Sequence, residues 1–174
     1  MSLKHILTEL QKKYDAVNAF KVPEPGKNKG KVFADLFPKS VPNDRELMEA
    51  LINFEADPKF AEFEQHFIKP LKNAKDELST QFIDGKIVDT EKYNKAKSGM
   101  SSAETNLARY LRGEEVKLKV ADPANAEAVI EKSFQLKDSK IPDAFKKFEA
   151  ETNKAYGILN GQAGMVRTEG WAQT

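Results

Sequence analysis

Apolar residues recur at three- and four-residue steps through most of this chain, and the runs are bounded by residues that start or stop helices. Leu3, Leu7, Leu10, Tyr14 and Val17 are spaced 4-3-4-3, with Ile6 alongside and Ser2 placed to cap. The spacing predicts an amphipathic helix to about Phe20 that packs on its own domain, since two heptads fall short of a sustained coiled coil. Asn43 followed by Glu46 resembles a capping box, and Leu47, Ala50, Leu51 and Phe54 give the stripe of a short helix. Asp57-Pro58 then supplies a cap and a proline at the first helical position. From there Phe60, Phe63, Phe67, Leu71, Ala74, Leu78 and Phe82 share one face through about residue 83. Pro70 lies inside this run and is expected to kink it, because it removes a backbone donor and crowds the His66 carbonyl.

Asp84-Gly85 closes that helix and Asp89 opens the next, along which Tyr93, Ala96, Met100, Ala103, Leu107 and Tyr110 or Leu111 continue the pattern until Gly113. Two long helices joined by a short turn predict an antiparallel helical hairpin over 57–112. Helix propensity dips at Ser98-Gly99 and the serines at 101 and 102. Val116, Leu118 and Val120 alternate with Lys117 and Lys119 as a strand does, with Lys31–Phe33 or Lys86–Val88 as partner for a short β-ribbon. Asp122-Pro123 repeats the cap-plus-proline start and predicts a helix over 122–136, with Ala126, Val129, Ile130 and Phe134 inward. Pro142 begins the last helix, with Ile141, Phe145, Phe148, Ala155 and Leu159 inward and Asn160-Gly161 as its end.

Two segments depart from this pattern. Pro23, Pro25, Gly26, Gly30, Pro38 and Pro42 exclude a regular helix over 21–42, where Val32, Phe33, Leu36 and Phe37 are interspersed. A structureless connection of that length is unusual in a compact domain. An extended arm clamped by its apolar groups, or a binding segment, is expected instead. Residues 161–174 form a glycine-spaced tail carrying Met165, Val166 and the sole Trp, Trp171. The fold class expected is all-α: a single helical domain over 1–160, an elongated bundle centred on the 57–112 hairpin, with arm, tail and a short β-ribbon as the minor element.

Composition narrows the chemistry. Charged residues are 32% of the chain and hydrophobic ones 40%, which suits a folded helical protein, and a net charge of +1 favours neither polyanions nor acidic membranes overall. Lysines outnumber the four arginines heavily, and lysine is a hydrated point charge, whereas arginine supplies bidentate recognition. With no cysteine there is no disulfide, thiolate nucleophile or zinc–thiolate site. Lys4, His5 and Glu9 interrupt any signal-type apolar run, and no stretch reaches the length of a membrane span. The expected location is the cytoplasm, or a particle assembled inside the cell.

Catalytic constellations fail on inspection. The stretch from Gly26 to Val32 has three residues between its glycines, not the four of a phosphate loop, and Val32 stands where Ser or Thr is needed. Glu62 and His66 are four apart, but the Glu-x-x-His of di-metal bundles is absent. No Gly-x-Ser-x-Gly occurs, and the Glu pairs at 62/64, 114/115 and 149/151 read as solvated faces. No catalytic residue, metal ligand or cofactor is therefore expected. Residues 11–40 hold seven Lys against three acids, a local +4, with Tyr14, Phe20, Phe33 and Phe37 interleaved, while 43–66 carry −5. Lys27, Lys29 and Lys31 with those aromatics are one recipe for single-stranded nucleic acid.

The leading expectation is a non-catalytic structural or adaptor subunit, docked in a larger assembly such as a virus particle or a secretion-type machine. Val32, Phe33 and Phe37 of the arm, and Met165, Val166 and Trp171 of the tail, would fill grooves on other protein subunits or other copies. The alternatives are a nucleic-acid module using the Lys-rich arm, or a small inhibitor or regulator of another protein.

Overall fold

The computed structural model describes residues 3–23 and 26–165. The described residues are mostly helical with two antiparallel strand pairs, a mixed fold in which the β part exceeds the single minor ribbon expected beside an all-α bundle. Residues 50–143 form one compact unit, and the stretches before and after them form a second.

In the second unit the apolar seam at the start of the chain folds as two helices, α1 (Leu3–Leu10) and α2 (Lys12–Ala19), not as one. The break is at Gln11, whose φ of −124° and ψ of 66° leave the helical region. Its side chain is nearly buried and its amide donates to Glu149 Oε2 at 3.3 Å, a long-range bond in place of helical continuity. Ile6, Leu7 and Val17 are buried, as their spacing requires. Residues 21–42 are folded rather than extended. Lys21 bridges Val32, Val22 N–H donates to the Lys31 carbonyl at 3.0 Å, and a short helix α3 (Phe33–Leu36) follows. Phe33 joins Val17 and Ala155 in a core that Phe20, Phe37, Tyr156 and Leu159 flank.

Helix α4 (Arg45–Phe54) begins where the capping signal lies, but the reciprocal box does not close. Asn43 Oδ1 accepts from Arg45 N–H at 2.9 Å, while Asn43 N–H donates to Glu151 Oε2 at 3.0 Å and Glu46 pairs with Lys147 at 3.2 Å. The final helix α8 (Ile141–Met165) runs through Asn160-Gly161, so that pair does not end it. Phe145, Phe148, Thr152 and Ala155 form its buried stripe.

In the unit of residues 50–143, Asp57 Oδ1 accepts from Lys59 N–H at 2.8 Å, and helix α5 (Phe60–Phe63) follows. A π-helical turn, Glu64–Ile68, then leads into α6 (Lys69–Thr80). This turn is how the helix accommodates Pro70: a missing N–H at 70 leaves the His66 carbonyl without its α-helical partner, and the backbone shifts to wider rings. Lys69 N–H bonds Glu64 O, five residues back. Helix α7 (Thr90–Leu111) packs along α6 in the opposite sense, with Ala74 near Gly99 and Phe67 stacked on Tyr110 at 4.4 Å. Phe63, Phe67, Leu71, Leu107, Tyr110 and Leu111 are buried.

The strand foreseen at 116–120 forms as β3 (Val116–Asp122), but its partner is β4 (Asn125–Phe134), where a helix over 122–136 was expected. Asp122 Oδ1 accepts from Ala124 N–H at 2.9 Å, closing a turn instead of capping a helix. The ribbon is anchored at its base, where Val116 and the opposed Phe134 are both buried. Gly113, with φ +85°, turns the chain from α7 toward β3. The other strand pair, β1 (Phe82–Ile83) and β2 (Lys86–Ile87), separates α6 from α7, so the helical stripe ends before Phe82.

Candidate functional site

The most conspicuous surface lies at that small hairpin. Helix α6 stops where Ser79 and Thr80 hydroxyls bond back to the carbonyls of Lys75 and Glu77, at 3.1 and 2.7 Å. The chain then reverses through Asp84 (φ 53°) and Gly85 (φ 75°), the doubly left-handed turn that matches the twist of two paired strands. Val88 N–H closes the ladder onto Gln81 O at 2.9 Å. Asp89 caps α7, its Oδ1 accepting from Glu91 and Lys92 N–H at 3.0 and 3.2 Å.

Side chains alternate across such a ribbon. Phe82 and the opposed Ile87 share one face; Ile83, opposite Lys86, lies on the other, as does Val88. With apolar groups on both faces, the hairpin cannot bury them all against its own unit. Phe82 is 50% exposed, Ile83 54%, Ile87 44% and Val88 61%. Phe82 and Tyr93, their rings 6.4 Å apart, border a shallow hollow of about 330 Å³ with Leu78 and Ser79.

The residues singled out from sequence fall elsewhere. Phe33 is 2% exposed, committed to the core of its own unit, and Phe37 lies beside it at 5.2 Å, half-buried. Val32 is half-buried in its bridge to Lys21. Met165 is the last residue of α8; its side chain, and Val166 and Trp171, lie outside the described residues. Lys27, Lys29 and Lys31 are exposed on a turn that Gly30 N–H fastens to Val22 O at 2.9 Å. The interleaved aromatics are not displayed beside them, because Phe20 and Phe37 pack against the Val17 core.

Glu62 and His66 do not converge. Glu62 pairs with Lys132 at 3.7 Å, and the His66 ring rests 4.9 Å from that of Phe134. Among the described residues, no group of three or more His, Asp or Glu is placed to hold a metal ion, and no helix is long and apolar enough to cross a membrane. Two phenols are perturbed. Burial, reinforced by Glu62 and Asp57, pushes Tyr110 up to about 12. Burial also raises Tyr14; a hydrogen bond with Asn18 offsets part of this, and Asp44, bonded at 3.3 Å, adds to it. Neither is poised for proton transfer near neutrality.

The sequence does carry a signal for this hairpin, Asp84-Gly85 between Phe82-Ile83 and Ile87-Val88, a dipeptide suited to a two-residue turn. Comparison of the chain with protein-family models, with curated proteins and with solved structures returned no match.

Proposed function

We propose that this chain is a non-catalytic docking subunit that inserts the Phe82–Val88 hairpin into an apolar groove on a different protein. The observation behind this reading is four large apolar side chains, each about half exposed, on both faces of one short hairpin. An aromatic side chain offers roughly 150–250 Å² and Ile or Val less, so the four half-exposed groups leave at most about 400 Å² uncovered. Meeting its own image would bury about 800 Å² in all, below the roughly 1,200–2,000 Å² of a stable specific interface. A second copy meeting the hairpin covers one of its two faces, whereas a concave partner wraps both together with the surface around them.

The test is a photo-crosslinking residue at Val88, introduced in the native source. The expected result is one heterologous product, whose partner, once purified, binds the chain at least ten times more weakly after Phe82→Ser. A self-crosslinked dimer, or a partner indifferent to Phe82→Ser, overturns the reading.

A second reading, contact with a phosphodiester polymer, is favoured by the exposed Lys27, Lys29 and Lys31 on one closed turn. It requires binding that weakens steeply with salt and drops when the three become Gln.

A further inference from the structure

The π-helical turn borders a second feature, independent of the hairpin: a cleft of about 290 Å³ between this turn, α7 and β3. Turns of this kind recur at functional sites, because the extra residue widens the helix and redirects side chains. The inner wall is apolar, from Phe67, Ala103, Leu118 and Val120. Leu118 and Val120 lie on the inward face of β3, in line with buried Val116. On α7, Gly99, Ser102, Ala103 and Asn106 share one face at three- and four-residue steps. Gly99 and Ala103 carry the least side-chain volume, which opens the space.

The polar members of the lining are Gln65, His66, Ser102 and Asn106, two of them carboxamides with a donor and an acceptor side by side. No carboxylate lines the cleft, and Glu62, one turn before His66, is paired with Lys132. Lys119, its one formally charged residue, alternates to the outer face of β3, opposite Glu131. A ligand bearing full charge would find no counter-charge aimed at it. At ~30 Å³ per water the volume equals about ten waters, so the fit is a molecule of roughly ten non-hydrogen atoms.

We propose that this cleft binds a small, uncharged, planar heteroaromatic molecule bearing an amide edge. Its flat face lies on the half-buried Leu118 and Val120 side chains, and its amide pairs with the Asn106 carboxamide. The experiment uses the full chain, labelled for amide NMR, with nicotinamide as probe and nicotinate as an isosteric anion. Nicotinamide should shift the amides of residues 65–69, 99–106 and 118–120 saturably at about millimolar concentration, the range small fragments reach. Nicotinate should bind at least ten times more weakly.

Asn106→Leu should weaken nicotinamide at least tenfold. Gly99→Leu should abolish its binding by filling the cleft, with thermal melting confirming that both variants fold. A Cβ at Gly99 meets only the Ala74 Cβ, at 4.0 Å, an ordinary van der Waals contact. Absence of saturable shifts, equal binding of nicotinate, or binding indifferent to both variants overturns the proposal. The docking reading rests on other residues and survives or fails separately.

Discussion

Thr152 lies on the inward stripe of α8, is 0% exposed, and its hydroxyl finds no hydrogen-bond partner among the described residues. Leaving a buried hydroxyl unpaired costs about 1–3 kcal/mol relative to water. Thr152→Val replaces it with a methyl group of nearly the same shape, at nearly equal helix propensity, and the methyl adds roughly 0.8 kcal/mol of burial. The variant is therefore expected to be more stable by about 1–3 kcal/mol, or roughly 2–12 °C in Tm for a chain of this size. Urea titration followed by far-UV circular dichroism reads it as a higher midpoint at unchanged slope. Thr152→Ser, which keeps the hydroxyl and deletes the methyl, should lose about 1 kcal/mol. A Val variant that is less stable than the parent would refute the reasoning, because the hydroxyl must then be bonded, most simply to the carbonyl of Phe148 one turn back.

Three further outcomes follow from the geometry. The Tyr110 phenol stays protonated in the fold up to about 12 but ionises near 10.0 when unfolded, so stability is complete below pH 10 and declines above it. The slope is about 1.4 kcal/mol per pH unit between those values, and Tyr110→Phe should remove it from denaturation curves taken across that window. Gly113→Ala should cost at least about 1–2 kcal/mol, since φ is +85° and the new Cβ meets Pro142 carbons at 3.2 Å, whereas Gly99→Ala should gain about 0.5–1 kcal/mol, both by chemical denaturation. Asp89→Ala removes both cap bonds of α7 and should lower stability by about 1 kcal/mol in the same assay.

The long-helix stripes were legible because their residues satisfy the 3.6-residue period and then bury: Phe63, Phe67 and Leu71 in one, Ala96, Ala103, Leu107 and Tyr110 in the next. Pro70 was readable as a disturbance, but not as a π-helical turn, since periodicity does not reveal which carbonyls re-pair. Residues 122–136 misled for a specific reason. Asp122-Pro123 and the Ala- and Glu-rich stretch after it carry helix-start chemistry and high propensity, yet Asp122 serves a turn equally well, and pairing with β3 outweighs propensity. The Gln11 break depended on Glu149, 138 positions away, which no local pattern encodes. Phe33 and Phe37 stand out as apolar anchors, but sequence does not say whether an anchor holds its own chain or another. Phe82 continues the four-residue spacing from Leu78, so periodicity alone places it on the inward helix face and not on the surface.

The unit built from both ends of the chain has a consequence during synthesis. The residues before position 50 leave the ribosome first, but Phe145, Phe148 and Ala155, which complete their core, follow only after the intervening residues 50–143. At about 5–20 residues per second that delay is roughly 5–20 s. The intervening stretch is contiguous and can collapse on itself meanwhile, whereas Val17 and Phe33 must wait for Ala155 of α8. Nascent chains stalled before residue 144 should therefore expose the early segment to proteases while the middle unit is already protected.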